Sequence, residues 1–226
     1  MDKKGEMQRE SDHEFRDRLR AAGVVPVLSM PVGADPGRLA QVLTAAGLEV
    51  IEVTLRTACG LTAIRLMRQA APAALIGAGT VLSADAAHAA IEAGALFLVS
   101  PGLHLPVGRV ARTAGIPFLP GVVTPTEVGQ ALDEGFTLLK FFPASLAGGI
   151  PWIRALAAPY PDVEFMPTGG IRLEDVASYL AEPSVVAVGG SWIAPPGLLS
   201  GDLQEVAESA RAAAAVVAGR KQKELA

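Results

Sequence analysis

Eight short apolar runs recur along the chain, at residues 24–28, 49–53, 74–77, 96–99, 117–119, 137–141, 163–166 and 185–188. They are rich in β-branched residues and nearly unbroken by polar ones. That is the pattern of strands buried on both faces of a parallel sheet, not of strands with one face in water. Between them lie segments, among them 34–46, 60–70, 84–93, 126–134 and 173–180, in which alanine, leucine and charged residues recur at helical spacing. Thr57, Ser83 and Thr124 stand where helix N-caps are expected. Successive runs start 20–26 residues apart, the length of one strand-plus-helix unit.

Two architectures alternate strand and helix in this way. A doubly wound open sheet normally carries a phosphate-binding glycine fingerprint after its first strand. Here the first run is followed by Ser29-Met30-Pro31-Val32-Gly33, which lacks it. A closed barrel instead gathers function at the carboxyl ends of many strands, with phosphate contacts after strands seven and eight. The polar residues fall where that second arrangement wants them. The expected fold is therefore one α/β domain over 1–226, a (β/α)8 TIM barrel with an additional N-terminal helix. That helix is expected at 12–22, in an N-terminal extension (1–23) that can close the bottom of the barrel. An alanine-rich helix over 203–218 is expected to end at Gly219, leaving a charged, flexible tail over 219–226.

Composition narrows the function classes. Half of the 226 residues are hydrophobic and mean hydropathy is +0.38, which suits a large core and excludes a disordered chain. A net charge of −4 and a pI near 5.4 argue against a nucleic-acid surface built on phosphate neutralisation. The longest uncharged stretch, 183–201, is broken by Pro183, Pro195, Pro196 and several glycines, so no membrane span is expected. The first twenty residues are charged throughout, unlike the apolar centre of an export signal. Cys59 alone can form neither an internal disulfide nor a multi-thiolate metal site, and His13, His88 and His104 do not stand at metal-ligand spacing. A cytoplasmic protein without a metal, a membrane or a nucleic-acid partner is expected.

Lys140 lies in Leu138-Leu139-Lys140-Phe141-Phe142-Pro143, at the end of the sixth run. An unpaired ammonium among large apolar side chains is costly. Burial and a neighbouring cation favour the free amine, which can attack a ketone carbonyl to form a Schiff base. The alternative is a lysine that reaches the barrel's end or pairs with a carboxylate. Glu52 and Arg56 come from Ile51-Glu52-Val53-Thr54-Leu55-Arg56-Thr57 at the end of the second run. Facing inward, Glu52 can serve as a general acid/base and Arg56 can hold a substrate carboxylate by a forked pair. The alternative is a Glu–Arg pair that closes the loop. An ionised Glu52 beside Lys140 would hold the lysine protonated unless Arg56 or protonation of the glutamate offsets it.

Two glycine pairs follow the last two runs, in Pro167-Thr168-Gly169-Gly170-Ile171 and Val188-Gly189-Gly190-Ser191-Trp192. Without side chains, backbone N–H groups can close on an anion, and two such turns at adjacent strand ends fit a barrel phosphate site. Each turn alone can equally be a tight bend. Thr80, in Gly77-Ala78-Gly79-Thr80, offers a hydroxyl to a substrate oxygen or to a helix cap, and Ser100-Pro101-Gly102 follows the fourth run.

These segments together resemble the bacterial 2-keto-3-deoxy-6-phosphogluconate aldolases, which also act on 4-hydroxy-2-oxoglutarate. The matching stretches are VVPVL (24–28), EVTLRT (52–57), IGAGTVL (76–82), VSPG (99–102), IPFLPGVVTPTE (116–127), KFFPA (140–144), PTGGI (167–171) and VGGSW (188–192). The resemblance implies a homotrimeric class I aldolase on a (β/α)8 barrel, with no metal or other cofactor and with a phosphorylated keto sugar acid and pyruvate as its small-molecule partners. It gives Lys140 the role of Schiff-base lysine and Glu52 that of general acid/base. Arg56 and Thr80 take positions that hold the pyruvate carboxylate and neighbouring oxygens. Gly169, Gly170, Gly190 and Ser191 take the phosphate site, and Pro101, Phe142 and Thr168 line the pocket. One departure stands out: after KFFPA the family commonly has glutamate, and this chain has Ser145. The alternatives are a non-catalytic phosphosugar-binding barrel and a pyruvate aldolase of different sugar-acid specificity. A metal-dependent epimerase would need histidine and acidic ligands at several strand ends, and those are missing.

Overall fold

The computed structural model describes residues 3–224, with side chains from Asp12 to Gly219. Nine stretches of strand follow the apolar runs: β1 (Val24–Leu28), β2 (Val50–Thr54), β3 (Leu75–Gly79), β4 (Leu98–Val99), β5 (Phe118–Leu119), β6 (Gly121–Val122), β7 (Leu138–Phe141), β8 (Glu164–Pro167) and β9 (Val188–Gly190). β5 and β6 are two halves of one stave, parted at Pro120, which has no N–H to give a ladder. Its carbonyl still accepts from Lys140 N at 2.9 Å, so the stave stays joined to β7.

All pairings are parallel. They run β5-β4-β3-β2-β1-β9 on one side and β6-β7-β8 on the other. Bridges from Phe165 to Val185 and from Thr168 to Gly189 join β8 to β9 and close the ring into the expected (β/α)8 barrel. The last strand lies later than the apolar run that announces it. Residues 184–186 bond back to β8, with Phe165 N donating to Ser184 O and Val186 N to Phe165 O, whereas 188–190 pair with β1. Gly189 and Gly190 add ladder without adding apolar pattern, so the sequence ends the strand too early.

The helices are α1 (Lys3–Ala22), α2 (Pro36–Ala45), α3 (Gly60–Ala70), α4 (Ala84–Glu92), α5 (Leu105–Ala114), α6 (Pro125–Asp133), α7 (Gly149–Ala157), α8 (Leu173–Leu180) and α9 (Gln204–Glu224). Ser83 caps α4 by accepting from Ala86 N, and Thr124 caps α6 in a reciprocal box with Glu127. Thr57 caps nothing. α3 begins after Cys59, and the Thr57 hydroxyl donates to Met30 O at 2.8 Å, tying two loops at the barrel's mouth. α9 does not stop at Gly219 but continues to Glu224, because that glycine keeps a helical backbone instead of turning to positive φ. The expected helix end at Gly219 is thus moved to Glu224, and residues 225–226 of the expected tail lie outside the described residues.

α1 crosses the end of the barrel where the strands begin. Its Phe15 and Leu19 join Val25, Val50, Phe97, Val99, Leu119, Leu138 and Met166 in one buried cluster inside the ring, with the Phe15 and Phe97 rings 4.9 Å apart. Arg16 and Arg20 both pair with Glu164 at the head of β8, and Arg16 also donates to the Thr137 hydroxyl. The second, larger cluster lies between strands and outer helices. The closed lower end leaves the carboxyl ends of the strands as the open end.

Candidate functional site

Strand alternation sends Glu52 and Thr54 to the same face of β2, and Lys140 to the same face of β7 as Leu138. That face is the barrel interior. Glu52 is 0% exposed and Lys140 4%, and the lysine Nζ donates to Glu52 Oε1 at 3.1 Å and Oε2 at 3.4 Å. The ammonium also sits 5.4 Å from the centre of the Phe142 ring. Of the two readings of a lysine flanked by phenylalanines, the structure thus forms the carboxylate pair, buried inside the ring.

Room for that pair is made by β3. Glu52 is opposite Gly77 in the ladder, and Gly79 is opposite Thr54. A Cβ at Gly79 would lie 2.0 Å from Glu52 Oε1, and one at Gly77 would lie 2.4 Å from the Phe97 ring. The two glycines of Gly77-Ala78-Gly79 are inward positions left empty so that a carboxylate and an aromatic ring can occupy them.

Arg56 stands at the rim, exposed, and its Nε donates to Thr80 Oγ1 at 3.3 Å. Thr80 itself holds φ 57°, the one positive φ outside glycine among the described residues, an uncomfortable conformation for a β-branched residue. The Glu–Arg loop closure is not formed: Arg56 bonds Thr80, while Glu52 turns inward to Lys140. Pro101 is half-buried, and its carbonyl lies 2.2 Å from where a Cβ of Gly121 would be, so glycine lets the β4 loop pack on the broken stave.

Thr168 is 6% exposed and bridges to Gly189, which sets the two glycine turns side by side. Gly169 and Gly170 both take positive φ, 101° and 74°. Phe142, joined to Pro143 by a cis peptide bond, presses its ring on Gly169, where a Cβ would come within 3.1 Å. Gly190 lies under the Trp192 ring, and Ser191 is exposed beside it.

Two buried polar residues of this end carry no role in the motifs of the sequence. Thr54 is fully buried, donates to Leu28 O at 3.0 Å and bonds the Ser29 hydroxyl at 2.8 Å. Ser100, also fully buried, donates to Val81 O. They knit the loops after β1, β2, β3 and β4 together. For Thr54 the signal was available, since it stands two residues from Glu52 on the same strand face. A cavity of about 410 Å³ opens at the other end, lined by Phe15, Arg16, Arg112, Phe118 and Phe136 among others, and it shares no residue with this site.

An amine and a carboxylate in contact at the open end of a parallel barrel are the equipment of a (β/α)8-barrel lyase. Within that class the chain belongs to the KDPG and KHG aldolase family, whose model matches residues 15–209. The 2-dehydro-3-deoxy-phosphogluconate aldolase of Zymomonas mobilis is 45% identical over 79% of this chain and 86% of its own length. The crystal structure of the Zymomonas mobilis ZM4 aldolase with 3-phosphoglycerate superposes with a TM-score of 0.83 at 42% identity, over 89% of this chain and 95% of that one. The Legionella pneumophila aldolase, with pyruvate captured at low pH as a covalent carbinolamine intermediate, has a TM-score of 0.81 at 38% identity, covering 88% and 97%.

Proposed function

We propose that this chain cleaves 2-keto-3-deoxy-6-phosphogluconate to pyruvate and glyceraldehyde 3-phosphate through a Schiff base on Lys140, and cleaves 4-hydroxy-2-oxoglutarate to pyruvate and glyoxylate at the same site. The observation that carries the reading is the buried contact between Lys140 Nζ and Glu52 at 3.1 Å. Proton transfer across that contact leaves a neutral amine and a neutral carboxyl, the pair that begins imine chemistry.

The amine attacks C2 of the keto acid, and the protonated carboxyl supplies the proton with which water leaves the carbinolamine. Glu52, now a carboxylate, takes the proton of the C4 hydroxyl. The C3–C4 bond breaks, its electron pair flows into the iminium to give an enamine, and the aldehyde departs. Glu52 returns the proton to C3, and water hydrolyses the imine to free pyruvate and Lys140. Arg56 and Thr80 hold the carboxylate of the keto acid. Gly169, Gly170, Gly190 and Ser191 hold the phosphate through backbone N–H groups and the serine hydroxyl, with Pro101, Phe142 and Thr168 as walls. A cytoplasmic location belongs to the same reading and suits the single unpaired cysteine.

Borohydride trapping with pyruvate, followed by peptide mass spectrometry, tests this directly. A reduced adduct on Lys140 is expected, and Lys140→Met should abolish turnover in a folded chain. Absence of an adduct in the folded wild type would leave a phosphosugar-binding barrel without imine chemistry.

A further inference from the structure

The turn after Lys140 is fastened to the turn after β8. Ala144 N donates to Thr168 O at 2.8 Å and Ser145 N to Gly169 O at 3.0 Å. The Ser145 hydroxyl donates to Gly170 O at 2.9 Å. Three successive carbonyls therefore face one neighbouring segment, which a regular strand forbids because its carbonyls alternate. The positive φ of Gly169 and Gly170 is what turns them the same way.

Across a planar trans peptide the C=O of one residue and the N–H of the next point in opposite directions. Pinning the carbonyls of 168, 169 and 170 to residues 144–145 therefore aims the N–H groups of Gly169, Gly170 and Ile171 away from that segment. On the other side lies the β9 turn with Gly190 and Ser191, set there by the Thr168–Gly189 bridge. Among the described residues no backbone acceptor takes these three N–H groups. Convergent free N–H groups of this kind make an anion cradle. Ser145 supplies two of its three fastenings, one from its side chain, and fits closely, with its Oγ 2.5 Å from where a Cβ of Gly170 would be.

We propose that Ser145 is a positioning residue that holds the Gly169–Ile171 cradle in its anion-binding form, and that its hydroxyl sets the chain's preference for phosphorylated over unphosphorylated keto acids. The inference rests on the proposed aldolase reading and adds a determinant to it. Ser145 touches neither Lys140 nor Glu52 through a hydrogen bond, so its removal acts on anion binding and not on the imine steps.

The test compares wild type, Ser145→Ala and Ser145→Thr on 2-keto-3-deoxy-6-phosphogluconate and on 4-hydroxy-2-oxoglutarate, which has no phosphate. In Ser145→Ala, KM for the phosphorylated substrate should rise about three- to tenfold, the scale of one hydrogen bond's net contribution. kcat, the rate of pyruvate trapping by borohydride and kcat/KM for 4-hydroxy-2-oxoglutarate should stay within about twofold, as for a change confined to anion binding. Inhibition by inorganic phosphate should weaken by the same factor as KM, and Ser145→Thr should restore both. An unchanged KM and phosphate inhibition in Ser145→Ala, or equal losses on both substrates, overturns the role of Ser145 while leaving the aldolase reading intact. A wild type that traps no pyruvate overturns both.

Discussion

At Gly79 a single added methyl would sit 2.0 Å from Glu52 Oε1 and 2.6 Å from its Cγ and Cδ. The carboxylate fills the place a β3 side chain would take, so its contact with Lys140 depends on a residue that does no chemistry. Gly79→Ala should displace the carboxylate, and misplacement by about 1 Å is worth on the order of a hundredfold in rate. The expected outcome is a fall in kcat of about that size with circular dichroism unchanged; a folded variant with wild-type kcat would show that the pair tolerates displacement. Thr80 carries a complementary burden. Its positive φ places a strained residue where Arg56 finds its hydrogen-bond partner, at the rim of the same site.

Among the elements, α6 shows how a cap answers to pH. The Glu127 carboxylate accepts from the N–H groups of Val123 and Thr124 at 2.8 Å each and from the Thr124 hydroxyl at 2.9 Å. Burial pushes its pKa up, but these hydrogen bonds outweigh burial and the net shift is downward. Glu182 is lowered as well, first by its hydrogen bond from Arg154, against burial and with the help of the guanidinium charge. A carboxyl with a lower pKa folded than unfolded binds fewer protons in the folded state. Its stabilisation is complete above the ordinary value of 4.5 and is lost as pH falls through the folded value. Thr124→Ala should cost about 1 kcal/mol at pH 7. Its stability should also fall less steeply with acid than the wild type's below about pH 5, since Glu127 then has less to lose. Urea unfolding at several pH values reads both effects, and parallel acid limbs would contradict the assignment to Glu127.

For the whole molecule the two ends of the barrel divide the work. α1 seals the lower end by burying Phe15 and Leu19, each worth about 1.5–3 kcal/mol, and by the Arg16 and Arg20 pairs to Glu164. The upper end stays open and carries exposed apolar residues on its loops: Val32 is 87% exposed, Leu82 53% and Leu146 88%. We propose that apolar side chains of that exposure on loops of the working end serve association between copies, as in the homotrimer that the family resemblance implies. Light scattering on the purified chain should return three times the 23.2 kDa monomer mass. Leu146→Asp should shift that mass downward, and a wild-type monomer would remove the trimer from the proposal.

The sequence by itself determined the alternation of eight strands with helices, because continuous apolar runs and helical spacing are local properties of the chain. It also marked Lys140, Glu52 and the two glycine turns, since a lysine among phenylalanines and paired glycines at strand ends are conspicuous within a few residues. β1, α3 and α8 fall on the expected residues. β9 does not, because its glycines carry ladder without hydrophobicity, and α9 outruns Gly219 because nothing local forces that glycine out of the helix. Only the tertiary structure decided that Lys140 meets Glu52 across 88 residues of chain, and that Arg56 bonds Thr80 instead of Glu52. Contacts of that kind are fixed by the parallel register and the closing of the ring, which bring distant strand ends together at distances no local pattern encodes. The fastening of Ser145 to Gly170 is of the same sort: a substitution visible in the sequence, whose meaning depends on which turn the barrel sets beside it.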